Sequence, residues 1–303
     1  MTASRNTLAL ASLLACTALA QAAPTFDANL ELDTTHTNAI GATKANARSG
    51  GVDLGGRVEF NLGAKTSNGA SFVTARASLL LNKKGASAVD DMWVQFGNAA
   101  ADVKVGRFEA MDLFPLGKDT VVELNTYGGY QANTLRGRFG SGIFHGALGL
   151  NASSALRMEL GLVETKDAGA AKGFRPAVTY TAGKLTLRGG LESVKVNGAT
   201  GTQTGVGLSA GYALSKDTSV NLNFAKKKDD KSVGLNALIG AAGLGLIQSN
   251  GAGANKSTTV YAAYTLPLMG VTGATVTPAI SYAKGPAGSQ DQVAVRVRIN
   301  YAF

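Results

Sequence analysis

Residues 291–303 alternate without a break between apolar and polar side chains. Val293, Val295, Val297, Ile299, Tyr301 and Phe303 fall on one face of an extended strand. Gln292, Ala294, Arg296, Arg298, Asn300 and Ala302 fall on the other. An unbroken apolar row opposite two arginines and an asparagine suits a strand wetted by hydrocarbon on one side and by water on the other. In hydrocarbon every backbone amide must pair within the sheet, and only a closed sheet has no open edge. The expected fold is all-β, a transmembrane antiparallel β-barrel.

The N-terminus supports export. Arg5 precedes an apolar run from Leu8 to Ala20, and Ala20-Gln21-Ala22 is a small-x-small cleavage site, so residues 1–22 are expected to be a signal peptide and 23–303 the barrel domain. The run is too short to cross a bilayer as a helix, which needs about 20 residues. Loss of the leader removes Cys16, the only cysteine, and with it any disulfide or thiolate metal site. It also removes Arg5 and no acid, leaving 28 bases against 20 acids, a formal charge of +8. The 39 glycines argue against an all-helical domain.

The same two-sided pattern recurs in runs of about ten residues separated by polar or Gly-rich breaks, as barrel strands require. Leu156, Met158, Leu160 and Leu162 alternate with Arg157 and Glu159; Phe174, Pro176, Val178 and Tyr180 alternate with Arg175, Ala177 and Thr179. Residues 90–96 and 102–107 read as a hairpin, and 134–150 as one long strand or two short ones. Short turns such as Ser215-Lys216-Asp217 alternate with longer connections, of which 109–130 and 228–256 are the longest. If 228–256 is a loop the count is 14 strands; if its apolar runs at 233–239 and 244–247 form a hairpin it is 16, the favoured number.

Three short stretches resemble the Gram-negative general porin family. Val94-Gln95-Phe96-Gly97 followed by Val103-Lys104-Val105-Gly106-Arg107-Phe108 is similar to the family's hairpin ending in Gly-Arg before its constriction loop. Tyr212-Ala213-Leu214-Ser215-Lys216-Asp217-Thr218 resembles its periplasmic turn, and Tyr301-Ala302-Phe303 its closing aromatic signature. The resemblance implies a trimeric 16-stranded barrel whose third outer loop folds into the lumen and opposes acidic residues to wall arginines. Carried onto this chain, it makes Arg107 a wall arginine and begins the inward loop at Phe108, with Glu109, Asp112, Lys118, Asp119 and Glu123 inside it. It also implies that Ile299, Tyr301 and Phe303 form the signal read by the barrel-assembly machinery. The chain lacks the family's Pro-Glu-Phe-Gly-Gly loop tip and has Phe114-Pro115-Leu116-Gly117 instead. The wording of 108–123 also resembles the carbohydrate porins.

Function in such a protein lies in pore radius and wall electrostatics. Strand parity turns Arg57, Arg76, Arg136, Arg138, Arg157, Arg175, Arg188, Arg296 and Arg298 toward the lumen. Guanidinium groups stay charged at any relevant pH and match hydroxyls and carboxylates. The bland alternative for each is a solvated lumen residue away from the narrowest point. Aromatics at strand ends (Phe72, Tyr127, Tyr130, Tyr180, Tyr212, Tyr261, Tyr264, Tyr282, Tyr301) are expected as interfacial girdles, with Phe108, Phe114 and Tyr127 the alternative of a sugar-stacking track.

His36 and His145 have no triad or metal spacing, so no enzyme, cofactor or metal is implied. Scattered base on an exported barrel argues against nucleic acid. The expectation is an outer-membrane porin, a water-filled channel for passive diffusion of small hydrophilic solutes with mild anion preference, in contact with membrane lipid and lipopolysaccharide and assembled as a homotrimer. The alternatives are a carbohydrate-selective channel and a non-conducting structural or adhesive barrel.

Overall fold

A computed structural model of the protein describes residues 23–40, 51–118, 129–251, 255–286 and 289–303. They form a single antiparallel sheet. Its strands are β1 (Thr25–Ile40), β2 (Gly51–Asn68), β3 (Ser71–Asn82), β4 (Ser87–Asn98), β5 (Ala101–Arg107), β6 (Ile143–Asn151), β7 (Leu156–Thr165), β8 (Ala171–Ala182) and β9 (Leu185–Val196). There follow β10 (Gln203–Ala213), β11 (Thr218–Lys227), β12 (Asp230–Ile239), β13 (Ala242–Gly251), β14 (Asn255–Tyr264), β15 (Leu266–Pro267), β16 (Ala274–Lys284) and β17 (Asp291–Ala302). β14 and β15 both pair with β16 and are separated by Thr265 alone, so the two make one stave and the barrel has 16. The stretch left open as a loop or a concealed hairpin is the hairpin β12–β13.

Closure is a matter of hydrogen bonds. β1 pairs with β2 on one side and β17 on the other, so the sheet has no edge. At the seam the Ala28 amide donates to the Phe303 carbonyl at 2.8 Å, and the Phe303 amide donates to the Ala28 carbonyl at 2.9 Å.

The apolar rows face outward. Leu148, Leu160, Leu191, Leu208, Leu222, Leu235, Ile280 and Val297 are all exposed, one or more on nearly every stave. A water-soluble protein does not leave so large an apolar belt uncovered. The inward positions carry small or polar residues, among them Ala177, Ala225, Asn223, Ser209 and Ser281, all buried. Tyr180, Tyr212, Tyr264 and Tyr301 face outward near the end that bears the short turns, as Tyr282 does near the other. Tyr130 and Tyr261 correct the girdle expectation: both are buried inside the bore. Phe72 shares the inward parity of Thr74 and Arg76 and lies under the Lys65 ammonium, 5.7 Å from its ring centre. Tyr127 lies outside the described residues.

One end of the barrel carries the start of β1, the end of β17 and turns of two to six residues, from 69–70 round to 268–273. The other carries the longest connection, residues 108–142. Such asymmetry marks the turn end as periplasmic and the loop end as external. Residues 134–142, expected as strand, belong to that connection. Arg138 has a φ of 61°, incompatible with an extended strand, and pairing with a neighbouring stave resumes only at Ile143.

The division of faces has a measurable consequence. Leu160→Arg, on the outward face, is expected to lower folding free energy by roughly 2–4 kcal/mol in denaturant titrations with lipid vesicles. Thr186→Arg, on the inward face, is expected to change it by about 0.5 kcal/mol or less. Equal losses would contradict the assignment of hydrocarbon and water to opposite faces.

Candidate functional site

The loop 108–142 leaves β5 and turns into the bore. Its first residue, Phe108, stacks on His145 of β6 at 3.9 Å, and Phe139 meets the same imidazole edge-on at 5.2 Å. One wall side chain thus grips both ends of the loop. Lys104 lies 3.9 Å over the Trp93 ring and 4.7 Å over that of Phe108. The two limbs also pair with each other: the Ala110 amide donates to the Arg136 carbonyl at 2.7 Å and the Arg138 amide to the Phe108 carbonyl at 2.9 Å. Gly137 is required there, because its φ is left-handed and a Cβ would collide with the Phe108 carbonyl.

The outgoing limb crosses to the wall formed by β8–β14. Leu113 is wholly buried against Gly190 and Gly207, where a Cβ would stand 2.7 and 2.8 Å from its side chain. Burial of such a leucine is worth roughly 1.5–3 kcal/mol. The Asn223 and Asn236 amides both donate to the Pro115 carbonyl at 2.7 Å, and Tyr261 Oη donates to Leu116 O at 3.0 Å. Lys118 Nζ then donates to Ala241 O at 2.6 Å, at the turn between β12 and β13.

The returning limb hangs on one carboxylate. Glu192 of β9 accepts from Tyr130 Oη at 2.7 Å, from the Thr134 and Leu135 amides at 3.2 and 2.9 Å, and from Arg175 Nε at 3.1 Å. Arg175 Nη2 also donates to Ala132 O at 3.1 Å. Burial, reinforced by the Glu192 charge, pushes the Tyr130 phenol well above its ordinary pKa.

Across the bore, an unbroken chain of ion pairs runs from β17 to the loop. Arg298 meets Asp33 at 2.8 Å and Glu31 at 3.3 Å; Glu31 meets Arg57 at 3.0 Å. Arg57 and Arg76 share Glu59 at 3.9 and 3.6 Å, and Arg76 reaches Asp91 at 3.6 Å. Arg138 joins Asp91 (3.3 Å) and Asp90 (3.2 Å) of the wall to Glu109 (3.8 Å) of the loop, and Arg136 joins Glu109 (3.1 Å) to Asp112 (3.5 Å). Burial opposes the charge on Arg138, yet Glu109, Asp90 and Asp91 hold its pKa above the ordinary value.

The partners are not equally wet. Side-chain exposure is 41% for Arg57, 40% for Arg76 and 35% for Arg138 and Arg157, whereas Glu31, Glu59, Asp90 and Asp102 are at 7, 15, 9 and 6%. In these pairs the guanidinium heads meet the water and the carboxylates lie behind them; the order reverses at the two ends of the chain, where Arg298 is at 12% against 19% for Asp33 and Arg136 at 29% against 39% for Glu109.

Of the residues expected to line the pore, Arg57, Arg76, Arg157, Arg188, Arg296 and Arg298 share the inward parity of their strands. Arg136 and Arg138 also face the bore, from the loop and not from a strand. Two expectations need correction. Arg107 pairs in register with exposed Met92, so its parity is outward, and its guanidinium donates to the Val89, Asp90, Arg138 and Phe139 carbonyls. It ties the returning limb to β4. Arg175 is buried beneath the loop with Glu192 and does not reach the pore water. Phe108 and Phe114 are buried in packing. Asp119 and Glu123 lie outside the described residues. A cleft of about 220 Å³ opens between the limbs, lined by Asp112, Phe114, Lys118, Gln131, Asn133 and Arg136 among others. Sequence reasoning missed Glu192, Asp90, Asp91 and Glu59; inward parity marks Glu192, Asp91 and Glu59, but their partners depend on register and on the loop's path.

A closed 16-stave barrel with exposed apolar rows outside, charged groups inside and a loop folded into the bore has the architecture of the Gram-negative outer-membrane porins. Residues 22–148 match the family described as porin-like glycoporin RafY. Variants of the Rhodopseudomonas blastica porin superpose with TM-scores of 0.61 and 0.60 at 14% identity, over 93% of this chain and all of theirs. A structure from work on the asymmetric conductivity of engineered proteins matches at 0.59 and 14% over the same shares. At that identity the likeness is one of fold. No curated protein is similar enough in sequence to match.

The buried pair predicts a separable phenotype. Glu192→Leu leaves Arg175 uncompensated, a loss of roughly 3–5 kcal/mol borne by the loop's attachment. Faster limited proteolysis within 108–142 and noisier single-channel current are expected, while heat-modifiable migration of the barrel persists. Arg175→Met combined with Glu192→Leu should recover much of the loss; no recovery would mean that the pair does not act as a unit.

Proposed function

We propose that the protein is a water-filled channel for passive diffusion of small hydrophilic solutes, with a mild preference for anions. The observation that carries this reading is the unequal wetting of the ion pairs. Where Arg57, Arg76, Arg138 and Arg157 are exposed over Glu31, Glu59, Asp90 and Asp102, a passing solute meets a surface more basic than the neutral sum of those pairs. The formal +8 of residues 23–303 agrees in sign. Because each arginine has an acid nearby, the preference is expected to be weak and to shrink with ionic strength.

A second reading is a carbohydrate-selective channel. It is favoured by the glycoporin family matched by residues 22–148 and by the lumen's supply of guanidinium and amide groups that suit hydroxyls. Two further elements belong to this proposal. The outward row Ile299, Tyr301 and Phe303 serves as the signal for barrel assembly. The channel works as a homotrimer, with the β1–β5 side, where Val52, Leu54 and Met92 are exposed, turned toward neighbouring copies.

Planar-bilayer recordings test the scheme. Under a salt gradient the wild-type reversal potential should indicate anions, and Arg76→Gln with Arg138→Gln should move it toward cations. Arg107→Ala should leave its sign unchanged. A native channel that is cation-selective would overturn the electrostatic reading, and absence of conductance would overturn the channel itself. Current block by neutral oligosaccharides at millimolar concentration would favour the carbohydrate reading.

A further inference from the structure

Arg188 stands apart from the other arginines of the bore. It is the fourth residue of β9, inward in parity and half-buried. Arg57, Arg76, Arg138, Arg157 and Arg298 each meet a carboxylate. Among the described residues nothing pairs with Arg188. Its guanidinium is nonetheless wet, unlike Arg136 Nε, which is both buried and unpaired.

Its surroundings are neutral on every side. Thr179 of β8 and Ser209 of β10 stand directly opposite it in register, and Thr186 and Gly190 flank it on its own strand. The next base along the row, Arg157, pairs in register with Thr179 but is neutralised by Asp102 at 2.8 Å. The inward loop passes just above. Leu113 packs on Gly190, and the Thr179 hydroxyl donates to Met111 Sδ at 3.0 Å. Arg188 therefore lies beneath the loop's crossing, on the side of the short turn 183–184 from which β9 rises.

Isolation decides what such a base can do. An arginine with an acid beside it acts on a passing ion as a dipole, whose field fades quickly, whereas a lone one acts as a full charge. In water a full charge roughly 8 Å away enriches an anion about twofold, and low-dielectric walls raise the factor. The N–H donors of Arg188 are also unspent. Their planar fork matches a carboxylate at two points and a halide at only one.

We propose that Arg188 is a specificity-determining residue of the channel, a transient docking point beneath the loop for the carboxylate of small organic acids. This site presupposes the channel reading and narrows its anion preference to one residue and one ligand class.

Planar-bilayer recordings of the full barrel test it, with potassium acetate and potassium chloride as probes. The native conductance should saturate at a lower concentration of acetate than of chloride. Arg188→Gln should raise the half-saturating acetate concentration at least about threefold and move the reversal potential toward cations. Arg188→Lys keeps the charge and loses the fork, so the reversal potential should stay near native while the acetate advantage falls. Asp102→Asn with Arg157→Gln removes a base together with its acid, and should move the reversal potential less than Arg188→Gln does. Unchanged acetate saturation in Arg188→Gln would overturn the proposal. So would native-like acetate retention in Arg188→Lys, or a larger shift from the Asp102 and Arg157 pair. Heat-modifiable migration checks that each variant retains its barrel. A native protein that does not conduct overturns the channel itself, whereas one that conducts but saturates alike in both salts overturns only the carboxylate site.

Discussion

The structure depends on one requirement: no backbone amide may be left unpaired in hydrocarbon. Sixteen staves meet it only because β1 pairs with both β2 and β17. Once the cylinder is sealed, period-two alternation allots every second side chain to lipid and the rest to the bore. Cross-section, polarity and the space available to the loop all follow from that allotment.

Within the bore the loop is held by two different chemistries. On the β8–β14 side contact is dry and specific: Leu113 seated against two glycines, and a buried carboxylate shared by Arg175, Tyr130 and two amides. On the opposite side contact is wet and ionic, through Arg138 to Asp90 and Asp91. Buried pairs resist solvent and salt, while half-exposed ones do not. The loop is thus fastened firmly along one wall and adjustably along the other, where half-exposed arginines meet the water of the bore.

The barrel was legible because its signal is local. Alternation in 156–162, 174–180 and 291–303 states which face is apolar before any partner is known, and the β12–β13 hairpin was visible as two apolar runs. The site was legible only in part. Glu109 and Asp112 could be assigned to an inward loop, but strand parity turned Arg136 and Arg138 toward the bore for the wrong reason, since the left-handed Arg138 breaks the strand there and both reach the bore from the loop. Arg107 was misassigned for a different reason: its place on the wall came from the resemblance, whereas its own register opposite Met92 turns it outward. Glu192 looked like any inward acid. Its importance comes from four donors separated from it by 17 to 62 residues, and nothing local encodes that convergence.

The chain has a single tryptophan, Trp93, with the Lys104 ammonium over its face beside the ring of Phe108. A cation that close perturbs indole emission, and any displacement of the loop's root must alter the pairing. The molecule therefore contains its own optical reporter at the root of the inward loop, readable in detergent or membrane without a label and without passing current.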